Sequence, residues 1–161
     1  MALTAVNPEV LSWPGNSAPP LTQMLATDSK TWKKGEMFFL TSGAPDPVVN
    51  AGKTDVYGIF AETQTSSTST STVWVRRLTA GTRLAMFVMT SGSAASASTP
   101  TIGTAYGVET LSNVCYLDTG TANGQFRVIR TMSNAQPLQD GYEDMDAAPG
   151  LVEVEFLGYV S

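Results

Sequence analysis

The chain has 161 residues, of which 42% are hydrophobic and only 14% charged, against roughly 25% charged in an average soluble domain. One packed domain is therefore expected, rather than disorder or long solvated helices. The net charge is −5: all nine Lys and Arg share residues 1–132 with eight acids, and 133–161 hold the other six acids and no base. This balance offers no basic face for phosphates, so neither nucleic acid nor an anionic membrane is an expected partner.

Residues 1–26 read as an extended N-terminal arm, because Pro8, Pro14, Pro19 and Pro20 bar a helix and extend the residues before them. Val6, Val10, Leu11 and Trp13 give the arm apolar bulk that a free tail rarely keeps. Residues 2–20 are thus expected to be dispensable for folding and to attach the protein to a target. A β domain is expected over 27–161. Lys33 to Glu36 form a turn into a strand, Met37 to Thr41, and Ser42 to Pro47 read as a loop. Further strands are predicted at Val56 to Ala61, Val73 to Leu78, Arg83 to Thr90, Ala105 to Glu109, Asn113 to Asp118, Gln125 to Thr131 and Leu151 to Val160. Trp74, between two valines, is expected in the core. The Ser/Thr run at 63–72 has little to bury and reads as a mobile surface loop. Asn123-Gly124 marks a tight turn before Gln125. In the last strand Val152, Val154 and Phe156 alternate with Glu153 and Glu155, one face buried and the other mostly wet. The fold class is all-β, a single compact barrel or sandwich.

An internal repeat runs through the first part of this pattern. Met37-Phe38-Phe39-Leu40-Thr41-Ser42-Gly43 is echoed by Met86-Phe87-Val88-Met89-Thr90-Ser91-Gly92, and Tyr57-Gly58-Ile59 by Tyr106-Gly107-Val108, at one common offset. Two related strand units are expected, with Phe38 and Phe87 equivalent and buried, and Tyr57 and Tyr106 likewise.

Chemistry is harder to find. The chain has no histidine and one cysteine, which excludes a Ser-His-Asp triad, a disulfide within the chain and the usual zinc sites. Cys115 lies in an apolar run and is expected to be a buried core residue. Gly52-Lys53-Thr54 follows no phosphate-binding loop. The carboxylates from Asp140 to Asp146 read as a solvated acidic loop; a hydrolase centred on them is the enzymatic alternative. Arg76, Arg77 and Arg83, with Arg127 and Arg130, are expected to pair with the acidic C-terminal region of this chain or of a neighbouring copy, fixing register in an oligomer. No cofactor or metal is expected. The N-terminus lacks the features of a secretory signal, and no apolar run is long enough for a membrane helix.

Between residues 30 and 131 the order of segments is a Lys34-Gly35-Glu36 turn with its strand, a proline-bearing loop, Val56-Tyr57-Gly58-Ile59-Phe60-Ala61-Glu62, then Val73-Trp74-Val75 and Leu78-Thr79-Ala80-Gly81-Thr82. This resembles the small β-barrel decoration, or cement, proteins of tailed-bacteriophage heads. The resemblance implies a non-catalytic structural protein, commonly trimeric, made in the host cytoplasm and carried on the outer surface of the virion. There it clamps neighbouring major capsid proteins. The shell contact is then expected from Val6, Pro8, Val10, Leu11, Trp13 and Pro14, and self-association from Arg76, Arg77 and Arg83. The long Ser/Thr loop and the acidic region after 133 depart from that pattern. A tail-fibre or adhesin module stacking host glycans on Trp13, Trp32 and Trp74 is the alternative.

Overall fold

The computed structural model describes residues 4–27, 29–48, 52–65, 68, 71–132 and 148–159. Within them about half of the residues are strand, and the only helical element is a single 3-10 turn at Pro14–Asn16. Twelve strands follow in chain order: β1 (Glu9–Ser12), β2 (Leu21–Leu25), β3 (Met37–Thr41), β4 (Ala44–Pro47), β5 (Gly58–Phe60), β6 (Thr72–Arg77), β7 (Arg83–Thr90), β8 (Ser93–Ala94), β9 (Ala105–Leu111), β10 (Val114–Ala122), β11 (Phe126–Thr131) and β12 (Leu151–Phe156).

They form two sheets. In the first, β7, β10, β9, β11 and β12 pair in sequence, and β12 pairs back onto β7, closing a barrel. All its neighbouring pairs are antiparallel except β7 with β10. Closure removes the unpaired edges that an open sheet presents. Alternation then decides the interior: Leu84, Met86 and Val88 of β7 point inward with Val152, Val154 and Phe156 of β12, Phe126 and Val128 of β11, and Cys115 and Leu117 of β10. The second sheet, ordered β2-β6-β5-β3-β4, is antiparallel throughout. Its strands β3 and β5 are covered on both sides. Met37 joins the barrel core with Phe39 and Ile59 packed against it, while Phe38, Phe60, Val73 and Val75 form a second core around Trp32. That double burial explains the continuous apolar run Met37-Phe38-Phe39-Leu40. Trp32 is fully buried and stacks on Phe60 with 4.3 Å between ring centroids.

The repeat is visible in the backbone. Ser42-Gly43 and Ser91-Gly92 both close two-residue hairpins with positive φ at both positions, the turn that matches strand twist. Thr41 faces Ala44 in one hairpin and Thr90 faces Ser93 in the other, and the next pairs also correspond. Phe38 and Phe87 are both buried, and Tyr106 is buried where Tyr57 is half-buried. The equivalence stops at sheet pairing: β3 and β5 bond directly, whereas β10 lies between β7 and β9. Asn123-Gly124 likewise makes a tight bend, but it carries the chain across β9 and does not join two paired strands.

Several expectations need correction. The described part of the arm, residues 4–26, is not a free attachment: β1 pairs with β7 of the barrel and β2 pairs with β6 of the second sheet. Asn7 anchors it further, accepting a hydrogen bond from the Cys115 N–H at 2.9 Å and donating to the Asn113 carbonyl at 3.0 Å. A segment so bonded packs as part of the fold, so its removal is expected to cost stability. Ala44 to Pro47, read as loop, is an edge strand, a position where prolines are tolerated. Of the Ser/Thr run at 63–72, residues 66, 67, 69 and 70 lie outside the described residues; at its ends Gln64 and Trp32 exchange backbone hydrogen bonds and Thr72 begins β6. The Asp140 to Asp146 cluster lies outside the described residues.

Gly58 and Gly107, equivalent in the repeat, test how closely the backbone packs. A Cβ on Gly58 would lie 2.5 Å from the Arg76 carbonyl oxygen, and one on Gly107 2.5 Å from that of Lys53. Gly58→Ala and Gly107→Ala are each expected to destabilise by about 1–3 kcal/mol. The readout is a melting temperature lowered by roughly 2–4 °C per kcal/mol.

Candidate interaction surface

The surface that stands out lies where the N-terminal segment crosses the second sheet. After β1, Trp13 leads into the Pro14–Asn16 turn, in which Gly15 and Asn16 have positive φ and reverse the chain. Pro19 and Pro20 then straighten it into β2. Arg76 of β6 holds this crossing from below. Its guanidinium sits 5.9 Å from the centroid of the Trp13 ring and donates a hydrogen bond to the Pro19 carbonyl. A cation over an indole contributes about 0.5–1 kcal/mol at a site of partial exposure.

Between the crossing and the sheet is a groove of about 310 Å³, lined by Pro8, Val10, Trp13, Leu21, Ile59 and Arg76, with Lys34 at its rim. Beside it the face of the sheet is bare. Leu21 lies opposite Arg76, Gln23 opposite Trp74 and Leu25 opposite Thr72, so alternation puts all six on one face. Leu21 is 46% exposed, Leu25 60% and Trp74 42%. Trp74 therefore does not pack in the core as expected. Val73 and Val75 turn inward, and the residue between them must turn out. Three exposed apolar side chains, Leu21, Leu25 and Trp74, thus share one sheet face beside the groove, interleaved with Gln23, Thr72 and Arg76.

The six arm residues expected to make contact divide in two. Pro8 is buried, and Val10 and Trp13 are half-buried, packed against the barrel core while also lining the groove. Val6, Leu11 and Pro14 are exposed. The arginine cluster also divides. Arg83 and Arg130 both reach Glu153, Arg83 at 3.1 Å, and Arg127 reaches Glu155 at 2.8 Å. These three are intrachain pairs with β12, in the C-terminal region. Arg76 and Arg77 take no carboxylate partner among the described residues. Arg77 instead lies 5.1 Å from the Tyr57 ring centroid. Leu21 and Leu25 were missed because they fell within the arm. The signal that could have found them is the proline-free, uncharged Leu21-Thr22-Gln23-Met24-Leu25 directly after Pro19-Pro20.

Burial pushes the Cys115 thiol up to about 12, which leaves no thiolate at neutral pH. Burial also raises the Glu36 carboxyl, partly offset by the Lys33 N–H bonded to it at 3.0 Å. Among the described residues no three metal-ligating side chains come together.

For Glu153, burial raises the carboxyl, but hydrogen bonds and charges from Arg130 and Arg83 outweigh burial and hold it below its ordinary value. A carboxyl lowered by folding contributes stability above its unfolded value of about 4.3, and that contribution is lost as the pH falls through the folded value. Glu153→Gln is thus expected to cost about 1–2 kcal/mol at pH 7. The penalty should shrink as the pH falls below about 4. Melting curves of both proteins across pH 3–7 check it; an equal penalty at both ends would contradict the ion-pair account.

With that geometry in view, no family model, curated protein or solved structure matches the chain.

Proposed function

We propose that the chain is a non-catalytic structural protein that attaches to the outside of a tailed-phage head and stabilises the shell by clamping neighbouring major capsid proteins. The observation that carries this reading is the exposure of Leu21, Leu25 and Trp74 on one sheet face beside the groove. An apolar surface of this kind marks a protein-binding site. Such a site needs no acid, base or metal. The low overall charge leaves little electrostatic defence against association, and a closed symmetric oligomer, a trimer, is part of the proposal. Clamping then gains from several copies engaging at once.

The exposure of Trp74 also favours a second reading, a module that stacks glycans on aromatic rings. Trp74 and the half-buried Trp13 could take part, but fully buried Trp32 could not.

The test is saturation of phage heads stripped of their native decoration protein, by the wild type and by Trp74→Ala. The wild type is expected to co-sediment, and the variant to bind about tenfold weaker or worse, as truncation of a central tryptophan commonly does. Absence of wild-type binding, or equal binding by both, would contradict the proposal. Retention on a glycan array, lost in Trp74→Ala, would establish the second reading in its place.

A further inference from the structure

The second sheet has two edges, and their sequences treat them differently. β4 carries Pro45 and Pro47, which have no N–H to offer, and Asp46 between them is ion-paired with Lys30 at 3.2 Å. Such an edge resists added strands. β2 has neither proline nor charge, and four of its five residues are exposed. Its inner side is fixed by β6. The Ala26 N–H donates to the Ser71 carbonyl at 2.8 Å, so antiparallel alternation turns the N–H and C=O of Thr22 and Met24 toward β6 and those of Leu21, Gln23 and Leu25 outward. Among the described residues no strand pairs with that outer side. Thr27 draws β4 toward the far end of β2 through a 2.6 Å hydrogen bond to the Pro45 carbonyl, which leaves the open stretch at Leu21 to Gln23.

β2 also borders a depression on each of its faces. One is the 310 Å³ groove with Leu21 and Arg76, and the other is a 500 Å³ hollow with Thr22, Met24, Val75 and Arg77. Arg76 and Arg77 are consecutive in β6 and so project to opposite faces, one at each depression. Each is held against a ring, and neither meets a carboxylate among the described residues, whereas Lys30, Arg83, Arg127 and Arg130 all do.

We propose that the outer edge of β2 accepts an extended strand of a partner protein that carries two adjacent acidic residues, one carboxylate reaching Arg76 and the next reaching Arg77. Consecutive residues of an added strand point to opposite faces, which matches the split of the two arginines. The added strand would lie about 10 Å from β6, across β2, within the combined reach of arginine and glutamate side chains. Backbone bonds to Leu21 and Gln23 supply affinity, and the two flanking depressions select side chains. A second copy pairing through its own β2 would bring Leu-Thr-Gln-Met-Leu and leave both arginines unmatched. Charge complementarity therefore favours an acidic strand over a second β2. The inference holds whether or not the partner belongs to a phage shell.

The test uses the full chain and three capped octapeptides. One is Thr-Val-Thr-Glu-Glu-Val-Thr-Val, the second has Lys-Lys in place of Glu-Glu, and the third is the acidic peptide with alternate backbone amides methylated to block pairing. Calorimetry and amide hydrogen exchange read the result. The acidic peptide is expected to bind, to protect the Leu21 and Gln23 amides and to weaken with added salt. The lysine and methylated peptides are expected to bind at least tenfold more weakly. Arg76→Gln and Arg77→Gln should each weaken the acidic peptide several-fold. Gln23→Pro should abolish its binding, because the Gln23 N–H faces outward and is not needed for the β6 ladder. Equal binding of the acidic and lysine peptides, or of the methylated and unmethylated ones, would overturn the proposal. So would a dimer of the free protein that Gln23→Pro dissolves, because the edge would then belong to a second copy.

Discussion

One side chain near the N-terminus ties the two halves of the molecule together. The Asn7 amide accepts the Cys115 N–H at the start of β10, donates to the Asn113 carbonyl in the adjoining turn, and lies 3.4 Å from the Lys34 carbonyl in the turn that leads into β3 of the second sheet. The fit is close. A Cβ on Gly35 would lie 3.0 Å from the Asn7 Cβ, and Gly35 also holds a φ of +92°. Glycine is therefore favoured there twice over, by space and by conformation. Barrel, second sheet and N-terminal segment meet at this point, and β1 and β2 leave it for opposite sheets.

The interaction surface follows from that junction. Because β1 is bonded to β7 and Trp13 rests on Arg76, one wall of the groove is built before any partner arrives. Preformed walls lower the ordering cost of binding. The same crossing leaves the far part of the sheet face uncovered, which is why Leu21, Leu25 and Trp74 remain in water. The protein thus offers a groove beside a sheet face on which large apolar side chains are exposed. The proposed attachment to a phage head draws on that surface, and so does the proposed strand pairing at β2.

The sequence made the barrel legible because its strands carry their burial in their spelling. Arg83 to Thr90 matches β7 in both limits, and the valines of β12 face the core as their alternation requires. The Asn-Gly bend and the Ser-Gly hairpins were readable for a similar reason, since positive φ narrows the choice of residue. What escaped depends on neighbours distant in the chain. β4 hides behind two prolines that only an edge can accept, and β2 behind two prolines that only straighten its entry. Trp74 reads as core until Val73 and Val75 are seen to claim the inner face. Glu153 reads as wet until Arg83 and Arg130 close over it, leaving it 6% exposed. Composition suggested one arginine cluster, but sheet pairing sends three arginines to β12 and leaves two on opposite faces of the second sheet.

The central claim is that the N-terminal segment belongs to the fold and builds the surface, and is not an appendage. Thermal unfolding of the chain without residues 2–20, beside the full chain, tests this most directly. The truncation removes the Asn7 bonds, the β1 ladder and the packing of Pro8, Val10 and Trp13. A loss of several kcal/mol follows, so the melting temperature should fall by about 10 °C or the chain should fail to fold. A truncated chain that melts with the full-length protein would contradict the account.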